Sequence, residues 1–333
     1  MNEIRTILSD IKKGNIKPIY FLMGEEPYYI DIISDYIEKN VLEESEKGFN
    51  QQVMYGRDTE IEDIISTAKR YPMMAERQVL IIKEAQDLSR HIDKLVGYAE
   101  NPQPTTVLVL NYKYKKLDKR KKLHKAIAKS GLVYESKKLY DNQVGDWILR
   151  VLSVKKYKIE PKASQMLVEF LGTDLSKIAN ELEKLMLILP KGSIISDKDI
   201  EDNIGISKDF NNFELKKAVG EKNILKVNRI INYFAENPKK NPLVMTISLL
   251  NNYFTQLLLL HGLKDKSKSS VAKNLGVNPY FVDEYFSAAK NYPMRKVAQV
   301  IAFLRDADVK SKGVGASQSH RDLLKELLFK ILH

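Results

Sequence analysis

The sequence predicts an α/β domain followed by an all-α remainder, and three observations carry that expectation. Five short apolar runs alternate with helical periodicity as far as about Tyr140. After Asp141 the strand signals stop. Only 15 Gly and 11 Pro occur in 333 residues, with 44% hydrophobic and 29% charged residues, a globular composition with room for two or three domains, each with its own core.

The expected strands are Ile19–Met23, Gln52–Tyr55, Val79–Ile82, Thr106–Leu110 and Leu132–Glu135. Apolar residues at helical spacing lie between them: Ile30, Ile33 and Ile37, then Ile61, Ile64, Ile65 and Ala68, then Leu123, Ala126 and Ile127. A parallel sheet wound on both faces by helices follows, an architecture of the nucleotide-binding type. Helices are expected over Gly145–Lys156, Pro161–Leu171 and Asp174–Leu189, with Ser196 and Asp199 forming a capping box for a short fourth. Longer ones follow at Ile224–Ala235, Leu243–Leu263, Val271–Leu275, Pro279–Ala289, Arg295–Asp308 and Arg321–Leu332, with Asn278 capping the one that opens at Pro279.

Composition excludes several chemistries. With no cysteine there is no disulfide, no thiolate nucleophile and no Cys-ligated metal, and the histidines His91, His124, His261, His320 and His333 lack the spacing of a metal site. No metal, cofactor or catalytic residue is expected. Glu3, Arg5, Asp10, Lys12 and Lys13 interrupt the N-terminus, which lacks the apolar core of a secretory signal. Asn241–Leu263 is free of Asp, Glu, Lys and Arg and is as long as a membrane span. Six polar side chains, among them Thr246, Asn251 and Gln256, favour a helix buried among other helices over a membrane partner.

The net charge of +11 is concentrated, since Asn111–Lys138 holds 11 Lys or Arg against Asp118 and Glu135. Two readings stand. The run faces a polyanion, nucleic acid before membrane, with Lys115, Lys116, Lys119, Arg120, Lys121 and Lys122 its densest part, or it is a solvated lysine-rich face.

A phosphate-binding loop belongs after the first strand, yet the chain there reads Met23-Gly24-Glu25-Glu26-Pro27. The glycines, lysine and hydroxyl of such a loop are missing beyond Gly24, and Glu25 and Glu26 bring negative charge to the helix N-terminus that would bind an anion. At Val79-Leu80-Ile81-Ile82-Lys83-Glu84-Ala85, Lys83 stands where a Walker B pattern has its magnesium-binding Asp. Both halves of a nucleotide site read as disabled.

These residues resemble the delta-subunit family of the bacterial DNA polymerase III clamp loader along essentially the whole chain. The stretches that carry the resemblance are Lys17–Tyr28, the basic motif Leu117–Leu123, Gly172–Leu185, Asp306–Gly313 and Leu324–Ile331. It implies an AAA+-like fold: an α/β domain over 1–140 with a degenerate P-loop, a helical lid over 141–208, and a helical collar for oligomerisation over 209–333. It places Leu175 where active relatives carry a γ-phosphate-sensing arginine. The implied function is to bind the sliding clamp (the beta subunit) and hold the ring open for loading onto primed DNA during replication. Clamp-loader ATPase subunits and delta-prime are the implied partners, and the bacterial cytoplasm, at the replisome and nucleoid, is the implied location. This chain would be no catalyst itself, but a component of the DNA-directed DNA polymerase III holoenzyme, whose nucleotidyltransferase chemistry (EC 2.7.7.7) belongs to the assembly.

The clamp contact falls by this resemblance on Met73 and Met74, which Pro72 would leave at the end of the preceding helix. Without that resemblance, a Met pair reads first as a core position under the sheet. The competing function is a helical DNA-binding regulator with a degenerate nucleotide-binding domain. Its support is the helix–turn–helix-like spacing Val271-Ala-Lys-Asn-Leu-Gly276-Val-Asn-Pro-Tyr-Phe281, although Tyr280, Phe281, Tyr285 and Phe286 fit collar packing as well.

Overall fold

The computed structural model describes residues 2–314 and 319–333, and the chain divides into two compact units, Met1–Leu139 and Tyr140–His333. The first unit is built on five strands, β1 (Ile19–Gly24), β2 (Gln51–Tyr55), β3 (Gln78–Lys83), β4 (Thr106–Lys113) and β5 (Leu132–Ser136). All pair in parallel in the order β2-β3-β4-β1-β5. Parallel strands need crossovers, and those crossovers put helices on the sheet's faces. Hence every residue of β1 is buried. Phe21, Met23, Leu80, Ile82, Leu108 and Leu110 pack with Ile61, Ile64, Leu123 and Ile127 of two flanking helices, while the Pro27–Asn40 helix buries Ile30, Ile33 and Ile37. The edge strand β2 leaves Val53 and Tyr55 exposed.

All five expected strands form, each extended by a residue or more except at the start of β1, β4 and β5 and at the end of β2. Four helices lie outside the expected set: Asn2–Lys12, although its buried Ile4, Ile7 and Ile11 stand at helical spacing, and the shorter Glu44–Asn50, Val96–Glu100 and Asn212–Gly220. Strand structure does not end at Asp141, because Lys158–Ile159 pairs in parallel with Ile194–Ile195. Two residues are too few to show alternation.

Among the described residues the other regular elements of the second unit are helices. Pro161–Leu171 forms as expected, and the Ser196 and Asp199 capping box opens the helix Asp197–Ile204. The long apolar helix Leu243–Gly262 buries Ile247, Leu250, Phe254 and Leu257 in a core shared with Val300 and Leu304 of the helix Met294–Ser311. Its Thr246 hydroxyl is buried against Asn212 Oδ1 at 3.1 Å. Gly276 is left-handed and Asn278 Oδ1 accepts from the Tyr280 amide at 2.9 Å, so a tight turn joins Lys268–Leu275 to the next helix. Phe281 and Tyr285 are buried there and Phe286 is partly buried, but Tyr280 is exposed. Leu175 is buried at the start of the helix Leu175–Ile188.

Charges tie the helices of this unit together. Glu214 is buried and accepts from Lys162 at 3.0 Å and from Lys226, and Lys162 also meets Asp197 at 2.9 Å. Burial works against the Glu214 carboxylate, but its bonds to Lys226 and Lys162 prevail and hold its pKa below the usual glutamate range. A carboxyl with a depressed folded-state pKa adds stability above its unfolded value and loses it as the pH falls through the folded one. Glu214→Gln is therefore expected to lower unfolding free energy by about 1–3 kcal/mol at neutral pH, with the gap to wild type closing below about pH 4. Urea titrations at pH 7 and in acid check this; a gap independent of pH would mean that the charge is immaterial.

Candidate functional site

Open α/β sheets bind ligands beyond the carboxyl ends of their strands, and here that edge carries Gly24, Lys83, Lys113 and Ser136. The donors of a phosphate cradle are already engaged. Glu25 N donates to Ser136 O and Glu26 N to Ser136 Oγ, both at 3.2 Å, and Tyr28 N donates to Glu26 Oε1 at 3.2 Å. Pro27, at the first helical position, has no amide hydrogen. Gly24 has φ +128°, and a Cβ there would lie 2.1 Å from Ser136 O. The glycine is required by its approach to β5, with no phosphate involved.

Ion pairs fill the rest of the edge. Lys83 meets Glu38 at 3.2 Å, and Lys113 bridges Asp31 at 2.9 Å and Glu84 at 3.0 Å. Burial disfavours the Lys113 charge, but the hydrogen bonds to Asp31 and Glu84 outweigh it and raise the pKa. Asp35 is pushed up by burial, with Lys83 pulling the other way. Lys116 joins Glu25 at 3.1 Å to Glu135 at 3.2 Å. Among the described residues no cluster of His, Asp and Glu suits a metal ion.

The basic run is pinned by two buried leucines, Leu117 and Leu123, which hold the charged residues between them at the surface. Most of its cations have partners within the chain. Lys115 donates to Ser89 Oγ at 3.0 Å, Lys119 lies 3.6 Å from Glu135, Arg120 Nη2 meets Asp118 at 2.7 Å and Lys121 meets Asp93 at 2.7 Å. The guanidinium of Arg120 lowers the Asp118 pKa to about 2. Lys122 opens the helix Lys122–Ser130 and makes no ion pair among the described residues.

Met73 and Met74 occupy the opposite, amino-terminal edge of the sheet. They do not end a helix: Ile61–Ala68 stops five residues earlier, and the pair sits in the loop that leads into β3. The reason lies in the sheet. Thr106 Oγ1 donates to Ala68 O at 2.7 Å, and the Gln78 side-chain amide donates to Arg70 O at 2.6 Å and Thr67 O at 3.2 Å, so β3 and β4 take up the helix's last carbonyls. Nor is the pair core. Met73 is 62% exposed, Met74 is fully exposed with φ +51°, and Tyr71 beside them is 77% exposed. The loop backbone is nonetheless fixed, because buried Asn50 donates Nδ2–H to Met73 O at 2.9 Å and accepts Met73 N–H on Oδ1 at 2.6 Å.

Residues 20–137 match the family model for the DNA polymerase III delta subunit, and residues 209–330 match the model for the C-terminal domain of that same family. The chain belongs to the DNA polymerase III delta-subunit family. It is 26% identical to DNA polymerase III subunit delta of Bacillus subtilis over 96% of this chain and 94% of that one. The solved structure of the Bacillus subtilis DNA clamp loader delta protein superposes with a TM-score of 0.55 at 24% identity, covering 99% of both chains. A parallel-sheet unit followed by a helical unit is the α/β plus all-α fold expected. The delta subunit is a non-catalytic member of its polymerase.

Three participants in these sites escape sequence reasoning. Ser136 lies 110 positions from Glu26, Asn50 lies 23 from Met73, and Lys113 reads as one more lysine of the basic run. Of these, only Lys113 carries a sequence signal, a cation at the end of an apolar strand.

With its donors closed, the nucleotide edge should give no calorimetric signal with micromolar Mg·ATP, and Lys83→Asp should not create one; micromolar affinity in the wild-type chain would overturn this. Met74 carries the strain of a left-handed non-glycine residue without packing to offset it. Met74→Gly is accordingly expected to raise stability by about 0.5–1 kcal/mol in urea unfolding.

Proposed function

We propose that this delta-family chain is the clamp-loader subunit that grips the sliding clamp through Met73 and Met74 and holds one interface of the ring open for loading onto primed DNA. The observation that carries the reading is the placement of two large apolar side chains in water on a loop whose backbone is fixed. Exposed apolar surface of this kind calls for a partner that covers it, and the thioether side chain adapts to an apolar pocket. Strand β3, joined directly to the loop, gives the contact a stiff mount.

ATP hydrolysis then belongs to partner subunits, and nucleotide polymerisation to the holoenzyme in the bacterial replisome. Residues 209–333 act as the collar that joins those ATPase subunits and delta-prime, and residues 141–208 as the lid. In the densest part of the basic run, Lys119 and Arg120 keep most of their side chains in water beside Glu135 and Asp118, and Lys122 makes no ion pair among the described residues, so these three are most open to DNA, while Lys115, Lys116 and Lys121 are held by Ser89, Glu25, Glu135 and Asp93. Such contacts are independent of sequence and weaken steeply with salt.

Burying both methionines contributes about 2–4 kcal/mol, so Met73→Ala with Met74→Ala should weaken binding to purified clamp by roughly 30- to 1000-fold. The melting temperature should stay within about 2 °C of wild type, because neither side chain supports the core. Surface plasmon resonance and thermal melts on the same variant test both halves; unchanged affinity removes the assignment. Charge reversal at Lys119, Arg120 and Lys122 should lower DNA-dependent loading and flatten its salt dependence; loading at the wild-type rate would make the run a solvated face.

A further inference from the structure

The loop that carries Met73 and Met74 has almost no apolar packing of its own to hold it, yet one of its residues has a buried polar partner. Asn50 ends the helix Glu44–Asn50 and directly precedes β2, whose register pairs Gln51 with Val79. That register sets Asn50 beside the point where the loop enters β3. Its side-chain amide uses both hydrogens, one to Glu46 O at 3.1 Å in its own helix and one to Met73 O, while its oxygen takes the Met73 amide. An asparagine so placed offers one residue of the loop the same donor and acceptor that a neighbouring strand would offer. The following residue, Met74, is left-handed at φ +51° and fully exposed. A strained conformation of this kind persists only where its surroundings impose it, and such residues gather at ligand-binding elements. In the described structure the side-chain bonds to Met73 come from Asn50.

We infer that Asn50 is a positioning residue for the clamp contact: its amide fixes the Met73 backbone so that both methionines project together, and without it the loop samples conformations in which they do not. The inference rests on the assignment of Met73 and Met74 as the clamp anchor and deepens it. Asn50 touches no partner. It acts by removing the ordering penalty that a loose loop would meet on binding.

The test uses the full chain and purified sliding clamp. Asn50→Ala removes both bonds to Met73 and is expected to weaken clamp binding about 10- to 30-fold, with faster hydrogen exchange at the Met73 amide. Asn50→Asp keeps the shape and the acceptor but turns both donors into lone pairs, so it should weaken binding comparably and serves if the alanine variant does not fold. The decisive comparison adds Asn50→Ala to Met73→Ala, Met74→Ala: with nothing left to position, it should cost no further affinity. Wild-type affinity in a folded Asn50 variant overturns the inference while leaving the anchor assignment intact. An equal loss with and without the methionines also overturns it, because the effect would then come from elsewhere. If the methionine variant itself binds normally, the anchor assignment falls and the inference falls with it.

Discussion

The amides of Glu25 and Glu26 have one hydrogen each to donate, and both go to Ser136 at the end of β5. A phosphate needs those same donors pointing outward. Once they close on the neighbouring strand, Gly24 can approach Ser136 as nearly as it does, the Pro27–Asn40 helix starts without an anion at its end, and Glu26 caps it in the anion's place. The carboxylates around that edge no longer compete with a triphosphate, so they pair with Lys83, Lys113 and Lys116 instead. A fold of nucleotide-binding type thus becomes a scaffold by satisfying its own backbone.

The parallel sheet separates its two edges by the length of a strand, about 17 Å for six residues. In this chain the carboxyl edge is closed and internally neutralised, and the amino edge presents Tyr71, Met73 and Met74 to water. The strands between are buried on both faces, which makes the sheet a stiff spacer. Helix carbonyls captured by Gln78 and Thr106 set where the loop begins, and Asn50 sets its course.

Apolar periodicity made the first unit legible: runs such as Val79–Ile82 and the stripe Ile30, Ile33, Ile37 are dictated by burial on two faces of a sheet, and burial leaves a pattern. The disabled nucleotide site was also legible, since Glu25, Glu26 and Lys83 are the wrong chemistry at recognisable positions. Other features depend on contacts that no local pattern records. Whether Met73 and Met74 are core or surface turns on Gln78 and Thr106, which stop the helix before Pro72 can. The basic run looked like open charge because its partners Asp93, Glu25 and Glu135 are brought in by other strands and loops. Two-residue strands such as Lys158–Ile159 carry no periodicity at all.

Two of the groups that shape the exposed loop come from distant parts of the chain, Asn50 from before β2 and Thr106 from β4, and the third, Gln78, opens β3 directly after the loop. The two distant ones cannot act until the strands have found their register. The loop therefore orders late, after the sheet, and its two methionines are presented together only by a chain whose core is already complete. If a partner covers these methionines as proposed, display of the sticky surface is in this way a readout of finished folding: a nascent or partly folded chain shows the same residues, but not in the arrangement the partner would hold.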